Sequence, residues 1–146
     1  MATLETVTNT TETQLIALLK SAWGVTKVYT SPQDVESNAS ALPEAFLLCR
    51  ELVPAEEGEE TLCSSAARAS WSAMLHAALP SSGTLARAKR GKAQLLRAAL
   101  AATTLTYSPE ARWEGETYDV MEGEVQAKSG AYLIRINFST FVEWED

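Results

Sequence analysis

Residues 131–144 constrain the fold most, because apolar or aromatic side chains recur at every second position of this stretch. One set of alternating positions holds Tyr132, Ile134, Ile136, Phe138, Thr140, Val142 and Trp144. Successive side chains of a β-strand point to opposite faces, so a period of two predicts a long strand with one apolar face. The chain must therefore form a sheet. If this strand lies at the sheet edge, oligomerisation would cover its unpaired backbone groups.

A second sheet signal lies upstream. Residues 45–53 are mostly apolar and end at Pro54, which predicts a buried strand. The alanine content of residues 62–79 is compatible with a helix, but small or apolar residues alternate with polar ones from residue 67 to residue 79. We predict a strand there, because it would pair with residues 45–53 as a long hairpin.

The predicted hairpin turn is strongly acidic, with Glu56, Glu57, Glu59 and Glu60 in one short run. Calcium loops place their ligands at alternating positions and add a distant bidentate Glu, a spacing that this run lacks. We interpret it as a solvated tip that binds no metal. Pairing centred on the tip would set Cys49 opposite Cys63; we expect buried, reduced thiols, with a disulfide possible in an oxidising medium.

Two segments have helical periodicity. Residues 12–23 repeat apolar residues on one face, and Gly24 is suited to the left-handed conformation that ends a helix. The Thr-rich residues 1–10 are expected to form a flexible arm. Residues 85–102, which Thr84 can cap, form a second amphipathic helix, and the glycine at its centre allows a break into two shorter ones.

The remaining segments are less regular. Residues 25–30 suit a short strand, residues 33–43 a polar loop, and residues 103–130 one or two short strands or a long excursion. The chain has a common domain size and no internal repeat, so we predict one domain over residues 1–146. Its class is α+β: a small mixed or antiparallel sheet with a long hairpin and a C-terminal strand, packed by the N-terminal helix and the basic central helix.

Charge is segregated along the chain. The net charge is −7, yet residues 61–109 contain no acid. Most bases of that middle segment lie on the second helix: Arg87, Lys89, Arg90, Lys92 and Arg97. Contact with an acidic protein surface, including copies of this chain, is the favoured interpretation; phosphate contacts to nucleic acid and a simple solvated face are the alternatives.

No constellation predicts catalysis, a cofactor or a metal. His76 is the only histidine, so a Ser–His–acid set would need it, and no neighbouring serine lies in a Gly-x-Ser-x-Gly turn. Cys49, Cys63 and His76 do not form a zinc set. The carboxylates of residues 110–124 fit a solvated surface, and no glycine-rich phosphate loop occurs. We therefore predict that the chain is not an enzyme.

Partners other than protein are not expected. No stretch approaches the roughly 20 apolar residues that cross a bilayer, and the N-terminus lacks the pattern of a secretory signal, so we expect no membrane partner and an intracellular site of folding. Trp113 and Tyr118 are large aromatics in polar surroundings, as found at interfaces.

The order of elements resembles a known family. A helix over residues 12–23, a short strand with an acidic loop, a hairpin ending in Ala-Ser-Trp-Ser-Ala-Met-Leu-His, a helical segment and a last strand Gly-Ala-Tyr-Leu-Ile-Arg-Ile-Asn-Phe are similar to tail terminator, or tail-completion, proteins of long-tailed bacteriophages. The similarity covers residues 12–144. Residues 103–130 are longer and more acidic than the family pattern.

The resemblance implies a virion structural protein, assembled in the host cytoplasm. It implies a homohexameric ring that caps the tail tube and offers a surface to the head-connector proteins, with no catalytic residues and with nucleic acid met only as the genome passes through the ring. The basic helix would support subunit or tube contacts, and the acidic tip at residues 56–60 would reach a neighbour. Alternatives are another head–tail neck protein, a nucleic-acid-binding accessory protein using residues 85–102, and a small hydrolase around His76.

Overall fold

A computed structural model describes residues 3–30, 42–54, 65–108, 111–117 and 130–144. This part of the chain contains two helices and five strands. Their order is α1 Leu4–Trp23, β1 Val28–Tyr29, β2 Glu44–Pro54, β3 Ser65–Ala78, α2 Leu85–Ala102, β4 Ala111–Thr117 and β5 Ala131–Trp144. The predicted α+β class is confirmed.

The strands form a mixed sheet in the order β1-β2-β3-β5-β4. β1 runs parallel to β2, and every other pair is antiparallel. The β2–β3 hairpin and the strand character of β3 are confirmed. β5 lies inside the sheet, between β3 and β4, so the case for oligomerisation that depends on an exposed β5 does not apply.

The N-terminal helix begins eight residues before its predicted start. Thr3 caps it by accepting a hydrogen bond from the backbone N–H of Thr6, and Gly24 ends it with φ 65°. The flexible arm predicted for residues 1–10 is wrong from residue 4 onward. Val7 and Thr11 are buried one helical turn apart, in line with Leu15, so the first two turns pack on the core despite their threonines.

Both helices cover the same face of the sheet. The core there includes Leu15 and Leu19 of α1, Leu96 of α2, and Trp71 with Ile134 from the sheet. A smaller apolar cluster lies on the opposite face and consists of Phe46, Met74 and Leu133. Alternation in β3 and β5 therefore supplies two apolar surfaces of unequal size.

The second helix has the predicted bounds and the predicted Thr84 cap. It is continuous through Gly91, so the possible break does not occur. Its buried side is formed by Ala93, Leu96 and Leu100, whereas Leu95 is 50% exposed. Helical spacing places Leu95 beside Leu96 on the apolar face of residues 85–102, but the helix is rotated so that small Ala93 is buried and Leu95 is not.

The cysteine prediction is wrong for Cys49. Cys49 lies opposite Trp71 in the β2–β3 register, and the residue is exposed instead of buried, although neighbouring atoms still remove part of the solvent around its sulfur. Residue pairing continues to Pro54 and Ala67, and this register does not set residue 63 opposite Cys49 as predicted. Cys63 lies outside the described residues.

Other predictions are confirmed only in part or lie outside the described residues. The strand predicted over residues 25–30 is only two residues long, and Val25 is buried in the core. Residues 103–130 contain β4, and residues 118–129, including Tyr118, lie outside the described part. Of the polar loop predicted over residues 33–43, residues 33–41 also lie outside it, as does the predicted acidic tip with Glu56, Glu57, Glu59 and Glu60.

Candidate functional site

The outer face of α2 is positively charged. Arg87, Arg90, Gln94 and Arg97 are exposed along it, and we call these four residues the basic ridge. The helix contains no acid. An open depression of about 510 Å³ is formed by part of the ridge and its neighbours, and its lining residues are Thr84, Ala86, Arg87, Arg90, Gly91 and Gln94.

Not every predicted base of α2 lies on this face. Lys89 and Lys92 are half-buried. The indole N–H of Trp23 in α1 donates a hydrogen bond of 2.8 Å to the backbone carbonyl of Lys92, which places α1 beside this part of α2. The predicted five-residue basic cluster is thus divided, and only its three arginines belong to the ridge.

The ridge continues onto the edge strand β4. The guanidinium of Arg97 lies 5.3 Å from the ring centroid of Trp113, within the range of a cation–π contact. Trp113 is half-buried and packs on the main core. The structure thus joins two predicted interface residues, one from α2 and one from β4, that are far apart in sequence.

α1 carries two acids, Glu5 and Glu12. They are seven residues apart, about two helical turns, so they share one side of the helix. Desolvation of the sulfur raises the pKa of the Cys49 thiol, and the Glu12 carboxylate raises this pKa further.

The sheet face opposite the helices holds a polar depression of about 410 Å³, lined by Arg50, Glu51, Ser70, Glu114 and Asn137. The Asn137 side-chain oxygen accepts a 2.7 Å hydrogen bond from Ser72. Both charge signs line the depression, so its side chains select neither an anion nor a cation. Sequence reasoning missed this depression, because β2, β3, β4 and β5 all contribute to it.

His76 and Glu44 form a buried pair on the same face. Nδ1 of His76 lies 2.9 Å from Oε1 of Glu44, and the two side chains are at most 1% exposed. The second carboxylate oxygen, Oε2, is buried without a hydrogen-bond partner. Burial removes the imidazole from contact with a substrate, which disfavours the hydrolase alternative. No signal in the sequence singled out Glu44, because the pair depends on strand register.

The described residues contain no metal-binding group and no membrane-spanning helix. No group of three or more His, Cys, Asp or Glu side chains among them is placed to hold a metal ion. Neither described helix combines the length and the apolar character needed to span a membrane.

Comparison with known proteins adds no relative. No known family model matches the chain, and no curated protein matches its sequence. Functional inference therefore depends on the surfaces described above and on the resemblance in element order.

Proposed function

We propose that this chain is a virion structural protein: a tail terminator subunit that forms a hexameric ring on the head-proximal end of a phage tail tube. The observation that carries the proposal is the order of elements: a helix, a short strand, a long hairpin, a second helix, the strand β4 and a final long strand. All of these except β4 are elements on which the resemblance to tail terminator proteins is based.

The distribution of charge supports a role in assembly. The protein as a whole has a net charge of −7, yet α2 carries the exposed basic ridge and no acid. Opposite charges on different surfaces of one subunit favour contact between unlike surfaces of neighbouring copies. Such a heterologous contact generates a ring when the rotation between copies closes.

The sheet edges are also compatible with assembly. β1 pairs with β2 at only two positions, and β4 pairs only with β5 among the described strands. A seven-residue strand at the sheet edge can present unpaired backbone groups to a neighbour. Trp113 on this strand supplies a large aromatic side chain of the kind that interfaces use.

Electron microscopy and mass measurement of the purified protein test the proposal. We expect six-fold rings, either in solution or when the protein is mixed with tail tubes assembled from the tube protein of the same genome. Tubes capped in this way should stop growing. A monomer that neither forms rings nor binds tube ends over a concentration series would refute the proposal.

A second candidate is favoured by one observation, the three exposed arginines of the basic ridge. A nucleic-acid-binding accessory protein would use them for phosphate contacts, and its affinity would fall steeply with salt. A double variant that carries Arg87→Glu and Arg90→Glu should then lose binding to double-stranded DNA. Retained tube capping with no DNA binding by the unmodified protein would exclude this candidate. A neck protein at another position would form rings that do not cap tubes.

A further inference from the structure

We infer that the polar depression on the sheet face opposite the helices is a binding site for an uncharged polyhydroxyl ligand, a short saccharide. Its volume of about 410 Å³ lies in the range of roughly 300–1,000 Å³ that small-molecule sites occupy. All of its lining residues belong to one copy of the chain, so the site is complete without the proposed ring.

Two β-bulges adjoin the depression, one on each outer strand. A single row of paired residues crosses β2, β3, β5 and β4: Cys49, Trp71, Phe138 and Trp113. Next to this row the register shifts at Arg50 on β2 and at Glu114 on β4. Gly115 follows the second shift with φ 149°, a value that favours glycine. A bulge turns the inserted side chain out of the regular alternation, and both inserted residues line the depression.

The bulges place charged groups on two rims with a polar floor between them. Arg50 and Glu51 belong to β2, and Glu114 belongs to β4. Ser70 and Asn137 come from the two strands between these rims. β2 and β4 are three strand spacings of about 4.8 Å apart, so the backbones of the rims are separated by roughly 14 Å. A ligand on the floor can therefore reach charged groups at both ends.

The rim side chains are not used by the fold. Among the described residues, the side chains of Arg50, Glu51 and Glu114 take part in no hydrogen bond or ion pair. All three residues are exposed. Their guanidinium donors and carboxylate acceptors are therefore available to a ligand.

The floor also has hydrogen-bonding groups to spare. The side-chain oxygen of Asn137 accepts from Ser72, and its amide group keeps two donors. Ser139 lies directly opposite Ser70 in the β3–β5 register, so the two side chains share this face. The Ser139 hydroxyl is buried and has no hydrogen-bond partner. Buried hydroxyls are normally hydrogen-bonded, so this one favours a polar occupant over an apolar one.

The mixture of charges selects the class of ligand. An anion that approaches Arg50 also meets the carboxylate of Glu51, its neighbour on the same rim, and Glu114 adds a second acid. An apolar ligand would leave these groups without partners, which weakens binding. A hydroxyl group both donates and accepts. Adjacent hydroxyls of a saccharide can therefore accept from Arg50 and the Asn137 amide while they donate to the carboxylates.

Saturation-transfer NMR of the full chain tests this site. The probes are the methyl glycosides of glucose, galactose and mannose, N-acetylglucosamine, maltose and lactose, with glycine and inorganic phosphate as charged comparisons. We expect at least one sugar to receive saturation from the protein. Its dissociation constant should be in about the millimolar range, because solvent-exposed hydrogen bonds each contribute little. The signal is read on the sugar, so the method applies to a monomer and to a ring.

Substitutions on the two rims locate the binding. Arg50→Ala and Glu114→Ala should each weaken it by about tenfold, because each removes a hydrogen bond to a charged group. Arg87→Ala on α2 and Glu116→Ala on β4 are the matched controls. They remove exposed charges of the same kinds outside the depression and should leave binding unchanged. Circular dichroism and melting temperature should show that every variant is folded.

Each outcome decides the inference. If no sugar of the set binds, or if Arg50→Ala and Glu114→Ala bind as well as their controls, the inference is overturned. Binding of glycine or phosphate in place of the sugars, abolished by the two rim substitutions, would overturn the ligand class. Tube capping is measured separately, so the terminator proposal stands or fails independently of these results.

Discussion

Nδ1 of His76 and Oε1 of Glu44 lie 2.9 Å apart between adjacent strands, and both side chains are buried. The two residues are directly opposite in the β2–β3 register. A buried polar pair of this kind is costly to break, because the partner left behind has lost its solvent as well as its contact. The pair therefore specifies how the start of β2 aligns with the end of β3.

Removing the carboxylate should destabilise the fold. We expect Glu44→Ala to lower the free energy of unfolding by about 1–3 kcal/mol, because it removes the buried contact with Nδ1 of His76. Urea unfolding measures the change. Glu51→Ala, an exposed acid on the same strand, is the control and should have little effect. An equally small loss for Glu44→Ala would show that the pair contributes nothing.

The indole of Trp71 depends on one hydroxyl. Its Nε1–H donates a 2.9 Å hydrogen bond to Oγ1 of Thr140 inside the core. Thr140→Val keeps the shape and removes the acceptor, so the free energy of unfolding should fall by about 1–3 kcal/mol. Thr104→Val, at an exposed position after α2, is the matched control. Equal stability of the two variants would argue against the hydrogen bond.

The early start of α1 can be tested at Val7. This side chain is fully buried in the first turns of the helix, and Val7→Ala should cost about 2 kcal/mol of unfolding free energy. Asn9→Ala alters an exposed residue of the same turns and should be neutral or slightly stabilising, since Ala favours helices. If residues 1–10 were a flexible arm, Val7→Ala would be as harmless as its control.

Cys49 should react slowly with alkylating reagents. Desolvation and then the nearby Glu12 carboxylate raise its pKa above the ordinary value of 9.0, so little thiolate is present near neutral pH. In a Cys63→Ser background, Glu12→Gln should shift the pH profile of iodoacetamide reaction to lower pH. Lys20→Gln should leave the profile nearly unchanged. A profile that Glu12→Gln does not move would refute the electrostatic contact.

Raised pKa values should also make the fold less stable at alkaline pH. Desolvation also raises the pKa of Tyr132 above 10.0. A pKa raised on folding means that the folded state holds the proton more tightly than the unfolded chain. The stabilisation from Cys49 and Tyr132 is therefore fully present below about pH 9 and is lost as the pH rises through their folded values. Unfolding followed from pH 8 to pH 11 should show the decline, and Tyr132→Phe should reduce it.

The second helix shows both the use and the limit of helical periodicity as a predictor. Helix bounds and the Thr84 cap follow from residue spacing and side-chain chemistry, which are local properties. Periodicity separates Arg90 from half-buried Lys92, but it does not distinguish exposed Leu95 from buried Leu96. Which residues of an amphipathic helix meet solvent depends on the rotation of that helix against α1 and the sheet, and this rotation is a property of packing.

The sequence by itself determined the elements with strong local signals. The alternation of residues 131–144, the apolar run closed by Pro54 and the cap at Thr84 specify strand, strand and helix through side-chain direction and backbone chemistry. Only the tertiary structure decided the strand order, the Glu44–His76 pair and the contact between Arg97 and Trp113. Those features depend on long-range register, which residues distant in sequence fix together by burying a common core.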